Sequence, residues 1–227
     1  MKQKRLYPLF MVALAICICC PPAMRGSTLF SDLGPAGNIY SASSGYFVLG
    51  GGVDGTSNTL ANLFTVSGSG TLPVTGVDLA VSETFGLHTF CASIWTDSGG
   101  LPGAQVAGAY WSLSADAEDS FCCALTSITG ITGVTLTGGQ QYFMVLGPLS
   151  LSDSSETVWN GNSQGVTGLE LYSSDGGTTW SSYGTGSALG AFDVTSNTAS
   201  PEPATWPILL ALAGAGLWLR FRKRSVA

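Results

Sequence analysis

The sequence predicts an all-β protein, a two-sheet β-sandwich of jelly-roll character. Between residues 27 and 197 no stretch carries a persuasive apolar period of 3.6 residues. The apolar runs are short or alternating, and clusters of Gly, Ser, Asn and Asp separate them, as is typical of sandwiches and barrels. The chain also lacks an internal repeat of about 20 to 50 residues, which argues against a solenoid or a propeller.

About a dozen short strands are predicted from these runs, a number that suits a sandwich. In the run 141–147 the side chains of Tyr142, Met144 and Leu146 share one face. The predicted strands are 46–49, 62–66, 76–82, 88–96, 109–113, 121–125, 132–136, 141–147, 156–160, 169–173, 179–183 and 191–194.

Charge is partitioned along the chain. All eight Lys and Arg residues lie near the two ends, whereas the 14 carboxylates lie between Asp32 and Glu202. A domain surface without Lys or Arg repels phosphate, so the sequence argues against nucleic-acid binding.

The N-terminal residues 1–26 are typical of a secretory signal peptide. A basic start is followed by an apolar stretch from Leu6 to Cys20. Ala23 and Gly26 are both candidates for the last residue of the signal peptide. Two alternatives to a cleaved signal peptide are lipidation at Cys19 or Cys20 and an uncleaved membrane anchor. The run is short for a stable span, which needs about 20 residues.

The C-terminal part has three segments. A linker at 198–205 contains Pro-Glu-Pro, the apolar residues 206–219 predict a short transmembrane helix, and 220–227 form a basic tail. By the positive-inside rule the basic tail stays cytoplasmic and the preceding domain lies outside. The simplest interpretation is a plain membrane anchor.

The order of these segments resembles the PEP-CTERM sorting signal of Gram-negative bacteria. The resemblance implies recognition of the tripeptide by an exosortase, an integral membrane processing enzyme, and delivery of the domain to the cell surface or the extracellular polysaccharide matrix. Two prolines also hold the segment extended, as a processing cleft needs. The sorting residues implied are Pro201, Glu202, Pro203, Arg220, Arg222, Lys223 and Arg224.

The domain at 27–197 resembles the choice-of-anchor family, type R, whose members are exported bacterial β domains. Six motifs carry the resemblance, in order: FSDLGP at 30–35, DSGGLPG at 97–103, LTGGQQYFMVL at 136–146, VWN at 158–160, DGGTTW at 175–180 and AFDV at 191–194. The family implies architecture and location, not an activity.

Two motifs are rich in turn-forming residues. Residues 173–180 fit the Asp-box pattern S-x-D-x-G-x-T-W, which predicts a hairpin with Asp175 bonded to turn amides and Trp180 packed beneath it. A sialidase would need cationic groups that the domain lacks. The run 97–103 predicts a tight turn, with a calcium site at Asp97 as the alternative. No cofactor is otherwise expected.

Cysteine and aromatic residues supply the remaining candidate sites. An exported domain permits a disulfide, here from Cys91 to either Cys122 or Cys123. The tryptophans Trp95, Trp111, Trp159 and Trp180, with Tyr110 and Tyr172, could stack on sugar rings, although aromatic residues also fill sandwich cores.

Catalysis is poorly supported. A Ser–His–Asp site would have to use His88, the only histidine, and no paired carboxylates suggest a glycosidase. The sequence therefore predicts a non-enzymatic surface or matrix protein with a structural or adhesive role. The alternatives are a carbohydrate-binding module for extracellular polysaccharide and, third, a polysaccharide hydrolase.

Overall fold

A computed structural model describes residues 27–52, 55–115 and 124–197, and the regular structure of these residues is entirely β. The predicted all-β class is confirmed. The strands are β1 (Ser27–Ser31), β2 (Tyr40–Leu49), β3 (Thr59–Thr65), β4 (Thr71–Pro73), β5 (Gly76–Leu79), β6 (Val81–Gly86), β7 (Thr89–Asp97), β8 (Pro102–Ser114), β9 (Thr126–Thr129), β10 (Thr135–Thr137), β11 (Gln141–Gly147), β12 (Ser155–Asn162), β13 (Thr167–Ser173), β14 (Ser181–Ala188) and β15 (Phe192–Ser196).

Hydrogen bonding groups the strands into four sheets, and the strand pairs within them are antiparallel. The largest has six strands in the order β14-β13-β3-β11-β7-β8. The others are β1-β15-β5-β9, β2-β12-β6 and the pair β10-β4. Strands β2 and β14 therefore each lie at a sheet edge, and no helix long and apolar enough to cross a membrane occurs among the described residues.

The central strands of the six-stranded sheet pack against apolar clusters on both faces. Phe90, Ala92 and Ile94 of β7 belong to the main core cluster, which also takes in Trp159 of β12 and Phe192 of β15. This cluster contains side chains from the four-stranded and three-stranded sheets as well. A smaller cluster covers the opposite face and contains Ala61, Phe143, Val145 and Leu171. Burial on both faces explains why the run 142–146 is continuously apolar instead of alternating.

The predicted strand 76–82 is divided in two at Ala80. The amide of Ala80 donates to the carbonyl oxygen of Ala191 (3.1 Å), and the carbonyl oxygen of Ala80 accepts from the amide of Asn160 (2.8 Å). The chain thus leaves the four-stranded sheet and enters the three-stranded sheet at this residue. Continuous hydrophobicity hides such a change of partner, because both halves are buried.

Other strands differ from the prediction mainly in length. Strands β1, β4 and β9 were not predicted, and β2 and β8 begin six and seven residues earlier than the apolar pattern indicates, because most residues in their first halves are exposed. Of the predicted strand 121–125, residues 124 and 125 are not in a strand and the rest lies outside the described residues. The signal peptide, the linker, the C-terminal helix and the basic tail also lie outside them.

Candidate functional site

Two of the four predicted glycan-contact tryptophans belong to the main core. Trp159 is completely buried, packs against Phe192 and donates its Nε1 hydrogen to the carbonyl oxygen of Ala191 at 3.1 Å. It presents no face to a glycan, so this part of the prediction is wrong. Trp111 is half-buried against the same core cluster.

The other two tryptophans, Trp95 and Trp180, cover the opposite face of the six-stranded sheet. Both pack against the smaller core cluster. Gly177 lies between the two rings. A Cβ atom at this residue would be 3.2 Å from Cζ2 of Trp180 and 3.8 Å from Cη2 of Trp95, so there is little room for a side chain. The main role of these two rings is therefore to bury the outer face of the sheet.

The predicted Asp-box hairpin connects β13 to β14, and its geometry is confirmed. Oδ1 of Asp175 accepts from the amide of Thr179 at 2.8 Å, and Oδ2 accepts from the Thr179 hydroxyl at 2.7 Å. These two bonds, with a third from Ser173, lower the pKa of Asp175 to about 2. The hairpin is a structural turn that carries Trp180 onto the sheet.

The segment 97–103 forms the predicted tight turn between β7 and β8. Oδ1 of Asp97 accepts from the amide of Gly100 at 2.8 Å, and the amide of Ser98 donates to Leu101 at 2.8 Å. Asp97 thus acts as a turn acceptor. Among the described residues no group of three or more His, Cys, Asp or Glu side chains is arranged to hold a metal ion.

Cys91 lies on β7 and is the only cysteine among the described residues. Its Sγ donates to the carbonyl oxygen of Pro148 at 3.6 Å, and burial raises the pKa of the thiol, which makes it less reactive. Tyr110 lies beside it on β8. Cys122 and Cys123 lie outside the described residues, so the disulfide stays a prediction, as do the roles of the sorting residues Pro201, Glu202, Pro203, Arg220, Arg222, Lys223 and Arg224.

A groove with tyrosine walls lies where edge strand β2 meets β13 and edge strand β14. Its volume is about 380 Å³, within the range of small-ligand sites. Tyr46 comes from β2, Tyr172 from β13 and Tyr183 from β14, and Phe47 adds a fourth ring to the lining. We call this the tyrosine groove; its remaining lining residues are Gly45, Leu49, Thr56, Ser57, Asn58 and Ser174.

The three tyrosine rings stand side by side. The ring centroids of Tyr46 and Tyr183 are 5.2 Å apart, and those of Tyr172 and Tyr183 are 4.5 Å apart, each pair inclined by 34°. Tyr183 is central and 47% exposed, while Tyr46 and Tyr172 are half-buried. The groove therefore offers an aromatic wall of three rings that is open to ligand on one side.

A β-bulge places Tyr183 in this wall. Leu171 pairs with Ser182 and Glu170 with Gly184, so Tyr183 is an extra residue on β14. Gly184 follows with a φ of 119°, a conformation that side chains rarely adopt. Bulges occur often beside functional sites, where they turn a side chain in a new direction.

Two hydrogen bonds fix the rim of the groove. The hydroxyl of Ser57 donates to the carbonyl oxygen of Ser174 at 2.6 Å, across a wide separation in the chain. Nδ2 of Asn58 donates to the carbonyl oxygen of Phe47 at 2.5 Å. The loop that precedes β3 is thereby attached both to the Asp-box hairpin and to β2, which holds the groove in shape.

Behind the tyrosine rings lies a buried acid, Glu170 of β13. Its side chain is completely buried, and the Tyr46 hydroxyl interacts with it, yet neither Oε1 nor Oε2 has a partner at full hydrogen-bond geometry. Burial raises the pKa of Glu170 to about 8, an effect that the Tyr46 hydroxyl reduces. Burial, and after it the nearby Glu170 carboxyl group, raises the pKa of Tyr46 to about 12.

A second buried polar side chain is the direct cross-strand neighbour of Glu170. Asn62 of β3 pairs with Glu170 in the sheet register, is also completely buried, and has no hydrogen-bond partner for Oδ1 or Nδ2. Directly opposed side chains have Cβ atoms about 5 Å apart, so the two groups form one polar patch in an apolar interior. Polar groups buried in this way are costly unless a partner satisfies them.

Only one of the three tyrosines of the groove was predicted from the sequence. Tyr172 was recognised as a candidate aromatic contact, but Tyr46, Tyr183 and Glu170 were not. The bulge that selects Tyr183 leaves no signal in the apolar pattern, although a Gly directly after a strand tyrosine is a weak indicator. Glu170 is the only charged residue of strand β13, which is the one sequence signal that marks it.

No protein-family model matches this chain, and a search of curated proteins finds no significantly similar sequence. The functional argument therefore depends on the residues themselves.

Proposed function

We propose that this chain is an exported cell-surface or extracellular-matrix protein of a Gram-negative bacterium, with a structural or adhesive role. The supporting observation is the charge partition, in which every Lys and Arg lies near an end of the chain. The C-terminal tail acts as a PEP-CTERM signal for an exosortase-type enzyme. The helix 206–219 holds the precursor in the membrane before processing.

In this proposal the domain is a two-layer sandwich of jelly-roll character. The six-stranded sheet is one layer, and the four-stranded and three-stranded sheets together form the other. Support comes from the shared core cluster and from the hydrogen bonds that link the two smaller sheets at Ala80. In this arrangement the tyrosine groove lies at an open edge between the two layers.

Carbohydrate binding is the second candidate function, and the tyrosine groove is the observation that favours it. Aromatic rings bury much apolar area at low entropic cost and stack on the apolar faces of sugar rings. Three tyrosines with backbone and amide groups at the rim provide this chemistry. Extracellular polysaccharide is then the partner of the adhesive domain.

Substitution of Tyr183 tests this function. We expect Tyr183→Ala to weaken binding of the native polysaccharide at least tenfold, about 1.4 kcal/mol, because the central ring of the wall is lost. Affinity electrophoresis of the full chain in detergent measures the change. Phe85→Ala is the matched control, because Phe85 is 62% exposed but lies outside the tyrosine groove.

The result distinguishes the candidate functions. Saturable binding that Tyr183→Ala weakens and Phe85→Ala leaves unchanged supports a carbohydrate-binding module. The absence of any saturable binding by the wild-type chain would reject that module and leave the structural role. No catalytic role is proposed; His88, the candidate base of a triad, is paired through Nδ1 with Oε1 of Glu83 at 2.8 Å.

A further inference from the structure

The tyrosine groove has a chemical feature that a site for neutral sugars does not need. Its tyrosines stand against a completely buried carboxyl group, Glu170, whose oxygens lack full hydrogen-bond partners. Residues 27–197 contain no Lys or Arg that could neutralise it. A buried carboxyl group without hydrogen-bond partners costs free energy, and a bound cation would stabilise its ionised form.

We propose that the tyrosine groove binds glycans that carry free, protonated amino groups, with Glu170 as the counter-charge that selects the ammonium. This inference rests on the proposed carbohydrate binding and names its ligand class. The pyranose ring stacks on the tyrosine wall, and the ammonium lies over the ring faces of Tyr46 and Tyr183. Neutral and N-acetylated sugars keep the stacking and lose the charge interaction.

The aromatic wall suits an ammonium for a second reason. The faces of tyrosine rings are electrostatically negative, and a cation within about 6 Å of a ring centroid is attracted to them. Tyr46 and Tyr183 are also the two rings whose hydroxyl groups feel the charge of Glu170. The same two residues therefore connect the groove to the carboxyl group behind it.

The ammonium does not have to touch Glu170. A cation at ring-contact distance is separated from the carboxyl group by the tyrosine side chains and not by bulk water. Charge interactions across such an apolar barrier are screened less than those at the surface. Glu170 is thus a specificity-determining residue that acts through Tyr46 and Tyr183.

The charge of the whole domain agrees with this ligand class. Anionic groups are distributed along the domain and cationic ones are absent from its sequence, so its field attracts cations and repels uronic-acid or sulfated polysaccharides. The single ion pair described, between Glu83 and His88, does not involve the residues of the groove.

Binding is coupled to the release of a proton. With the groove empty, burial raises the pKa of Glu170 to about 8, so the acid is protonated at neutral pH. When the ammonium binds, the Glu170 carboxyl group loses its proton to the buffer, and the resulting carboxylate pairs with the cation. The titratable groups that face Glu170 are Tyr46 and Tyr183, which stay neutral because each has a raised pKa.

Isothermal titration calorimetry of the full chain in detergent tests the proposal at pH 7 and about 0.15 M salt, where the Debye length is about 8 Å. The probes are a β-1,4-linked glucosamine tetramer, its fully N-acetylated form and cellotetraose. We expect the wild type to bind the glucosamine tetramer at least tenfold more tightly than the other two. Titrations in two buffers of different ionisation enthalpy should show that the wild type releases more protons on binding than Glu170→Gln does, because the variant has no carboxyl group to ionise.

Glu170→Gln is the decisive variant, because glutamine has the shape of the protonated acid and cannot ionise. We expect it to bind the three tetramers with similar affinity and to release fewer protons than the wild type does on binding the glucosamine tetramer. Glu156→Gln is the control: it also removes one carboxylate, but on strand β12 and outside the tyrosine groove, and it should retain both the preference and the proton release.

The outcomes distinguish a failure of the amine preference from a failure of carbohydrate binding itself. If no tetramer binds the wild type, carbohydrate binding at the groove and the amine preference both fail. If the three tetramers bind the wild type equally, or if Glu170→Gln retains the preference, only the amine selection is overturned. If Glu170→Gln and Glu156→Gln lose the preference for the glucosamine tetramer equally, the preference is due to net charge, and the role of Glu170 is overturned.

Discussion

At the scale of single residues, the buried carboxyl groups are the most unusual feature of this domain. Asp32 is 2% exposed, and Oδ1 accepts from the amide of Phe192 at 2.7 Å while Oδ2 has no partner. Burial raises the pKa of Asp32 to about 7 and that of Asp193 to about 6, and the neighbouring charges of Asp193 and Asp78 add to these effects. Together with Glu170, they link folding stability to pH.

These shifts predict that the domain loses stability as pH rises from 5 to 8. The folded state keeps protons that the unfolded chain has already released above its ordinary carboxyl pKa of about 4, so each group lowers stability by about 1.4 kcal/mol per pH unit until its folded pKa is reached. Asp175 acts in the opposite direction only below about pH 4, because its folded pKa is about 2. Urea denaturation at pH 5, 6, 7 and 8 measures the slope.

The variant Glu170→Gln shows how much of the pH dependence of stability is due to Glu170. In Glu170→Gln the decrease between pH 7 and 8 should be smaller than in the wild type, since Asp32 and Asp193 are by then largely ionised. A stability that is constant or increases from pH 5 to 8 would contradict the buried-acid account of these residues.

At the scale of the elements, the sequence predicted the hairpins and central strands well and the edges poorly. The Asp-box motif defines its own hydrogen bonds, so its hairpin could be derived from eight residues. Strand β11 is continuously apolar, and its position in a sheet interior follows from that pattern. Local chemistry decides both features.

The remaining features depend on contacts between distant segments. The division at Ala80 requires Asn160 and Ala191, and the bulge at Tyr183 depends on how β14 aligns with β13. Neither leaves an apolar period in the sequence. The tyrosine groove assembles side chains from three strands, and for this reason only Tyr172 of its three tyrosines was found in advance.

The Asp-box hairpin supports a prediction about glycine. We expect Gly177→Ala to destabilise the domain by about 1 to 2 kcal/mol, because φ is 90° at this residue and a side chain in that conformation is strained. Its Cβ would also press on Trp180. Thermal denaturation followed by tryptophan fluorescence reports the change.

Gly186→Ala is the control for this substitution. Gly186 lies in β14, and no atom lies within 4 Å of a Cβ built there. The free energy of unfolding of Gly186→Ala should differ from that of the wild type by less than about 0.5 kcal/mol. If the two variants were equally stable, the hairpin would not be the rigid support of Trp180 and Trp95 that the geometry indicates.

At the scale of the whole molecule, the proposed function assigns separate tasks to the domain and to the chain ends. The described residues build an acidic β domain with a groove at its edge, and the ends carry all the cationic residues of the chain. Net charge keeps such a domain soluble and apart from its copies, while an amine-bearing polysaccharide would attract it. In the proposed function, the tail delivers the protein to the matrix and the groove then retains it there.

The most direct test of this account is the intact mass of the protein recovered from native cells and from their medium. The account predicts a species that ends near Pro201 and lacks Arg220 to Arg224, because the exosortase-type enzyme has removed the tail. A protein that retains Ala227 and is found only in membranes would contradict it.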